Sequence, residues 1–301
     1  MKKDLYIIIL SFIAIAVYAD NRQGIDFYKA GEPTIASRLF EKQLNSSPAE
    51  QAEALYYLGE IAFDENKTSE ALANYQKGWT TFPDYAYNKV GEGKVLLKTD
   101  KSTAQKAFDA AIKINKKDAS VYVAIAKAYS MNGMEAEAQA ALDNAKKYNA
   151  NDPAIYLYEG DLLISKDKPG DAAGRYEQAI HFDPACKEAY IKYANVYQGV
   201  TPTLSIEMLQ KVISNYPDYL PAYCHLGNIY SLQGNYPKAV AAYKTYMAGG
   251  LYSTDNLVHY ASALFFNKQY AESGKIISEG QAFSKVLIDF CMRRTFFYSF
   301  L

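Results

Sequence analysis

Small and large apolar residues alternate along this chain in a fixed long period. Small residues stand at Ala36, Ala71, Ala104, Ala138, Ala172, Ser205, Ala239 and Ser273, spaced by 35, 33, 34, 34, 33, 34 and 34 residues. Four positions after each comes a large apolar residue: Phe40, Tyr75, Phe108, Leu142, Tyr176, Leu209, Tyr243 and Ile277. A separation of four puts both on one face of a helix. Tyr122, Tyr156, Tyr190 and Tyr223 recur with the same period, and Pro48, Pro83, Pro184 and Pro217 each follow a large residue by eight. One period holds two helices and two turns. Gly24, Gly59, Gly93, Gly160 and Gly227 fall in the first helix, where they are expected to face the alanine series of the second. Gly31, Gly133 and Gly234 fall in the turn inside the pair, where a positive φ is useful. The prolines are expected to end the second helix.

The best copy of the pattern reads Tyr223, Leu226-Gly227, Tyr230, Gly234, Tyr236, Ala239, Tyr243. It resembles the tetratricopeptide repeat, with Tyr in place of the usual first Trp. Repeats of about 20–51 (partial), 52–85, 86–118, 119–152, 153–186, 187–219, 220–253 and 254–287 cover nearly all of the chain after its first segment. The resemblance implies an all-α fold: an α-solenoid of about eight stacked helix–turn–helix units forming a right-handed superhelix. No unit buries its apolar face alone, so stability comes from neighbours. Repeats 86–118 and 187–219 are one residue short. The turn within the first is expected to be tight, and Thr201-Pro202-Thr203 replaces the glycine turn of the second. Tyr246, Gly249-Gly250 and Leu251 point to a different helix end in repeat 220–253.

The two ends break the pattern. Lys2 and Lys3 precede an apolar run from Leu5 to Val17, and Val17-Tyr18-Ala19 matches a signal-peptidase site. A signal peptide over 1–19, cleaved after Ala19, is the expectation. The run falls short of the roughly 20 residues that span a bilayer, so no stable membrane insertion is expected after cleavage. An uncleaved anchor is the alternative. The last residues, 288–301, carry Phe290, Phe296, Phe297, Tyr298 and Phe300. They read as a closing cap or as a truncated further repeat.

Composition narrows the function. The 32 basic and 33 acidic side chains nearly cancel, which argues against a nucleic-acid partner. Tyrosine is abundant, 28 copies against one Trp, and the repeat accounts for it as an amphipathic filler. Cys186, Cys224 and Cys291 form no C-x-x-C pair. His225 and His259 lie 34 apart in equivalent positions, without a third ligand in phase, so no metal is expected. No phosphate loop, zinc-protease or nucleophile-elbow motif occurs, and Lys166-Asp167-Lys168-Pro169-Gly170-Asp171 reads as a turn. Neither a cofactor nor an enzymatic activity is expected.

In the family the second, fifth, ninth and twelfth residues of each unit face a concave groove. The resemblance therefore implies a partner-binding set of Glu53, Tyr56, Glu60, Phe63, Lys94, Lys127, Leu157, Asp161, Glu188, Asn195, Asn228 and Phe265. Counting Asp255 at an equivalent position, five acids there face two bases. The paired Lys and Asn with which some members grip a peptide carboxylate are missing. The expected ligand is a neutral or basic segment of a partner protein, with Tyr56, Phe63 and Phe265 as anchors. Binding through the convex side or the edges is the competing reading. The expectation for the whole is a non-catalytic interaction scaffold, exported to the periplasm or outside the cell. A permanent subunit of an envelope secretion or outer-membrane assembly complex is the alternative.

Overall fold

The computed structural model describes residues 21–281. The expected signal peptide, 1–19, and the aromatic tail, 288–301, lie outside the described residues. Among the described residues the secondary structure is entirely helical. The first four pairs are α1 (21–29) with α2 (Pro33–Gln43), α3 (Pro48–Asp64) with α4 (Thr68–Thr81), α5 (Tyr87–Leu96) with α6 (Lys101–Ile114), and α7 (Ala119–Ser130) with α8 (Glu135–Tyr148). The next four are α9 (Pro153–Ser165) with α10 (Pro169–Phe182), α11 (Lys187–Tyr197) with α12 (Pro202–Asn215), α13 (Leu220–Leu232) with α14 (Tyr236–Ala248), and α15 (Thr254–Phe266) with α16 (Tyr270–Gln281). The chain is an all-helical repeat array. It divides into two compact bodies, one ending at Ala189 and one starting at Tyr190.

Within a pair the glycine meets the large ring rather than the alanine. A methyl on Gly59 would stand 2.4 Å from Cε1 of Tyr75, and one on Gly160 would stand 2.4 Å from Cε1 of Tyr176. Gly227 faces Tyr243 and Gly24 faces Phe40 in the same way. The two backbones approach across the edge of an aromatic ring. The small residue of the second helix is buried beside that contact: Ala71, Ala104, Ala172 and Ala239 are all fully covered. The ring position explains part of the tyrosine excess. Tyr75 donates to Glu60 Oε1 at 2.6 Å, Tyr176 to Asp161 Oδ1 at 2.9 Å and Tyr243 to Asn228 Oδ1 at 2.6 Å. The acceptor is always the residue after the glycine. Where the ring position lacks a hydroxyl, as at Phe108, Leu142 and Leu209, the equivalent positions are Lys94, Lys127 and Asn195. A second tyrosine series closes the turns between pairs. Tyr122, Tyr156 and Tyr223 donate to the carbonyls of Lys116, Ala150 and Pro217, each six residues back.

The turn inside most pairs carries one left-handed residue. It is Gly31, Asn66, Gly133, Asp167, Gly234 and Lys268 in six pairs, with φ between 55° and 86°. The α5–α6 and α11–α12 turns have none. These belong to the two repeats that are one residue short, so the missing residue is the left-handed one. Register downstream shifts by the same step. Gly93 meets Phe108 fifteen residues on, whereas Gly59 meets Tyr75 sixteen residues on. Asp167 also makes the Lys166–Asp171 segment an ordinary inter-helix turn, with α10 starting at Pro169.

Proline plays two parts. Pro83, Pro184 and Pro217 follow the second helix of their pair by two residues, as expected. Pro48 does not end α2, which stops at Gln43; it opens α3, where its missing N–H is no loss. In α14 the end differs as anticipated: Gly250 takes a φ of 70° after Gly249, and the buried Tyr246 hydroxyl donates to Asn256 Oδ1 at 2.8 Å.

The cores follow from these contacts. In the N-terminal body, Phe108, Tyr122, Tyr129, Leu142, Ile155 and Tyr158 form one continuous apolar cluster through α5 to α9. In the C-terminal body, Leu209, Ile229, Tyr243, Tyr246, Leu257 and Leu264 are buried.

Candidate functional site

Helix α3 brings five of the twelve expected residues together: its own Glu53, Tyr56, Glu60 and Phe63, with Lys94 reaching over from α5. Ser47 caps it through a reciprocal pair with Glu50, and Pro48 fixes its first turn. Seventeen residues of helix follow, so side chains at 53, 56, 57, 60, 63 and 64 repeat along one side over three turns.

Glu60 sits at the centre. It accepts from Tyr75 and from Lys94 Nζ at 2.7 Å, the lysine reaching over from α5. Lys94 is only 5% exposed, and its ammonium lies 4.2 Å from the centre of the Phe63 ring. Glu60, Lys94 and Phe63 are therefore a packed bridge between adjacent pairs. Tyr56 and Phe63 rest against Ala62, Ala71, Tyr75 and Val95. Tyr56 also touches the rings of Tyr57, Tyr85 and Tyr87, with centroids 5.0, 6.0 and 5.5 Å away. Glu53 accepts from Asn21 Nδ2 at 2.6 Å and from the Tyr85 hydroxyl at 3.4 Å. Burial holds its carboxyl above the usual range, against the pull of those two hydrogen bonds.

The other expected residues spread along later pairs. Lys127 is half-buried on α7, and Leu157 is buried on α9. Asp161 on α9 and Asn228 on α13 each accept from the ring tyrosine of their own pair. Asn195 on α11 is exposed, and Phe265 at the end of α15 is 39% exposed, in edge contact with Phe266 and Tyr270. Glu188 pairs with Lys29 of α1 at 3.5 Å, while its neighbour Lys187 pairs with Asp26. Burial opposes the charge on Lys29. Glu188, with Tyr57 and Cys186, more than restores it, and its pKa ends above the usual lysine value.

Family positions alone do not reveal Tyr28, Tyr57, Asp64 and Asn21. Tyr57 stacks on Phe40 with centroids 5.0 Å apart and meets the edge of Tyr28 at 5.4 Å. Burial pushes its hydroxyl up to about 12. Tyr28 donates to Asp64 at 3.1 Å, and burial, then the nearby Glu60 charge, raises that carboxyl. The available signal was spacing from Glu53: positions 57, 60 and 64 continue its stripe at steps of four, three and four. The family pattern selects the adjacent stripe through Tyr56 and Phe63.

Among the described residues no three His, Cys, Asp or Glu side chains converge as a metal site would need. No helix among them is long and apolar enough to cross a membrane.

Comparison with known proteins agrees with this anatomy. Tetratricopeptide repeat family models match residues 21–86 and 208–241. No curated protein matches the sequence. Among solved structures, yeast Tom70 is similar over 93% of this chain and 63% of its own, at 16% identity and a TM-score of 0.60. PilW, a type IV pilus biogenesis factor, is similar over 68% of this chain and 98% of its own, at 17% identity and a TM-score of 0.52. These likenesses are of fold. With the repeat period, the glycine-to-ring contact in five of the eight described pairs and the matching family models, the chain is a tetratricopeptide repeat protein.

Proposed function

We propose that this chain is a non-catalytic scaffold that binds a neutral or basic segment of a partner protein along the side of α3 that bears Glu53, Tyr56 and Glu60. The observation that carries the reading is the concentration there of partly exposed tyrosines and carboxylates on the first helices of consecutive pairs. Aromatic rings held rigid by neighbours make contact area at little entropic cost. Acids on these first helices are engaged in the packing: Glu60 with Tyr75 and Lys94, Asp161 with Tyr176. Export to the bacterial envelope is part of the proposal and rests on the 1–19 segment of the sequence.

A second reading, a permanent subunit of an envelope assembly, draws on the C-terminal body. Val200, Leu232, Phe266 and Tyr270 are 83%, 72%, 40% and 59% exposed there, in or beside the turns within pairs. Exposed apolar side chains of this size suit a lasting interface.

The test is crosslinked capture from the native cell. It would compare wild type with Tyr56→Ala/Glu60→Lys/Phe63→Ala, and with Leu232→Glu/Phe266→Ser. Circular dichroism would first establish that each variant folds, since Tyr56 and Phe63 also pack against the core. Loss of one envelope partner only in the α3 variant supports the scaffold. Loss only in the Leu232 variant, with aggregation of the isolated chain, favours the subunit. N-terminal sequencing of the mature protein tests export, with Asp20 as the expected first residue.

A further inference from the structure

Glu53, Glu60 and Asp64 stand on one stripe of α3, and only one of the three is neutralised. Glu60 has Lys94 at 2.7 Å. Glu53 and Asp64 accept hydrogen bonds from uncharged donors: Glu53 from Asn21 and Tyr85, Asp64 from Tyr28. Both carboxyls feel a lysine at longer range, Lys29 for Glu53 and Lys94 for Asp64. Those ammonium groups are engaged elsewhere, by Glu188 and Glu60. Burial raises both carboxyls above the usual range, as expected for a negative charge losing water without gaining a counter-charge.

A second observation lies beside Glu53. Asn21 is only 5% exposed and gives its Nδ2 to Glu53, which leaves its Oδ1 as a buried acceptor with no hydrogen bond. A buried polar atom without a partner is costly and uncommon. The Glu53 carboxylate and the amide oxygen of its partner Asn21 are both acceptors, and a group with several N–H donors in one plane is the kind that satisfies two acceptors at once. That description fits a guanidinium better than an ammonium. Between the two carboxylates stand the rings of Tyr28 and Tyr57, 5.4 Å apart, which favour a cation and the apolar stem that carries it.

We propose that α3 carries a two-point cation site, with Glu53 and Asn21 at one end, Asp64 at the other and Tyr28 and Tyr57 between, and that its ligand is a segment bearing two arginines. This rests on the reading of α3 as the binding face and adds the chemistry of the ligand. The two acids stand eleven positions apart on the helix, about 16 Å along the axis. Arginines four residues apart on an extended chain point to the same side about 13 Å apart, and their long side chains cover the difference.

The probe is a fluorescein-labelled Gly/Ser peptide with two arginines four residues apart. Its controls carry citrulline at one or both positions, which keeps the shape and removes the charge. Anisotropy titrations at low salt would use the full chain and its Glu53→Gln, Asp64→Asn and Glu65→Gln forms. Glu65 is exposed and paired with Lys67, so it reports general charge alone. Wild type should bind the two-arginine peptide about tenfold more tightly than either single-citrulline peptide. Glu53→Gln and Asp64→Asn should each erase that advantage, and Glu65→Gln should preserve it. Equal binding by wild type, Glu53→Gln and Asp64→Asn overturns the site, as does an equal loss in Glu65→Gln. The cellular capture separates this from the broader reading. A partner lost with the Tyr56 variant but kept by Glu53→Gln/Asp64→Asn removes the cation site and leaves the binding face standing. A partner kept by all of them removes both.

Discussion

Asp26 and Lys187 form an ion pair although 161 residues separate them in sequence. One turn further along α1, Lys29 pairs with Glu188 at 3.5 Å. The start of the first helix pair thus meets the start of the sixth, within the N-terminal body. These groups are partly exposed, so each pair contributes about 1 kcal/mol at most, and salt weakens it. Asp26→Asn/Glu188→Gln should raise amide exchange across residues 21–29 by about fivefold, with the α7–α8 pair unchanged. Wild type in 1 M salt should behave the same way. Exchange in 21–29 that ignores both changes would show that the contact contributes nothing to holding α1.

Cys186 reports on the same contact. Burial, then the Glu188 charge, pushes its thiol up to about 11. At pH 8 it should hold on the order of a hundredfold less thiolate than an ordinary cysteine and alkylate correspondingly slowly. Glu188→Gln removes the larger of the two negative charges that raise it, Asp183 supplying the other, and should speed the reaction. Site-resolved mass spectrometry separates Cys186 from Cys224, which is buried. Rapid labelling of Cys186 in wild type would refute the expectation.

The glycines divide into two kinds with opposite predictions. Gly59→Ala drives a methyl to 2.4 Å from Tyr75 and should destabilise by about 1–3 kcal/mol. Gly174→Ala, mid-helix in α10 with open space around it, should stabilise by about 1 kcal/mol. Urea midpoints moving in opposite directions would bear this out.

Lys268 takes a φ of 63° where three other pairs use glycine. A left-handed lysine costs about 1 kcal/mol that glycine avoids. Lys268→Gly should therefore raise the urea midpoint, whereas Gly234→Lys at the equivalent place should lower it. The same change at Gln198, in a turn without a left-handed residue, should bring no gain.

Glu53 sets a pH dependence. Its folded-state pKa is raised, so the folded protein holds a proton there more tightly than the unfolded chain does. The cost of its charge is present above the raised value. It is relieved as pH falls and is gone below the unfolded value of about 4.3. Glu53→Gln should therefore stabilise the protein at pH 7, and its advantage should vanish as the pH approaches 4. An advantage independent of pH would assign the effect to packing.

The repeat was open to reading because it is written in residue types at fixed distances. Alanine, glycine and ring positions one period apart imply stacked helix pairs, and spacings of 33 located the two short repeats. Their consequence needed the backbone: the lost residue is the left-handed one, and Asn66, Asp167 and Lys268 hold that conformation without the glycine that would announce it. Glycine-to-ring contact is likewise a matter of three dimensions, since alanine and ring share one helix face and composition does not say which meets the facing backbone. The candidate site divides along the same line. Glu53, Tyr56 and Glu60 follow from their place in the repeat. Whether an acid there is free or already matched depends on residues about 32 or more positions away, such as Asn21 for Glu53 and Lys94 for Glu60. The sequence by itself determined the helices and their pairing, because those depend on local spacing and side-chain size. Only the tertiary structure decided which charges are compensated and that Asp26 meets Lys187, because Coulomb energy and desolvation depend on distance in space, and no local pattern encodes a contact across five repeats.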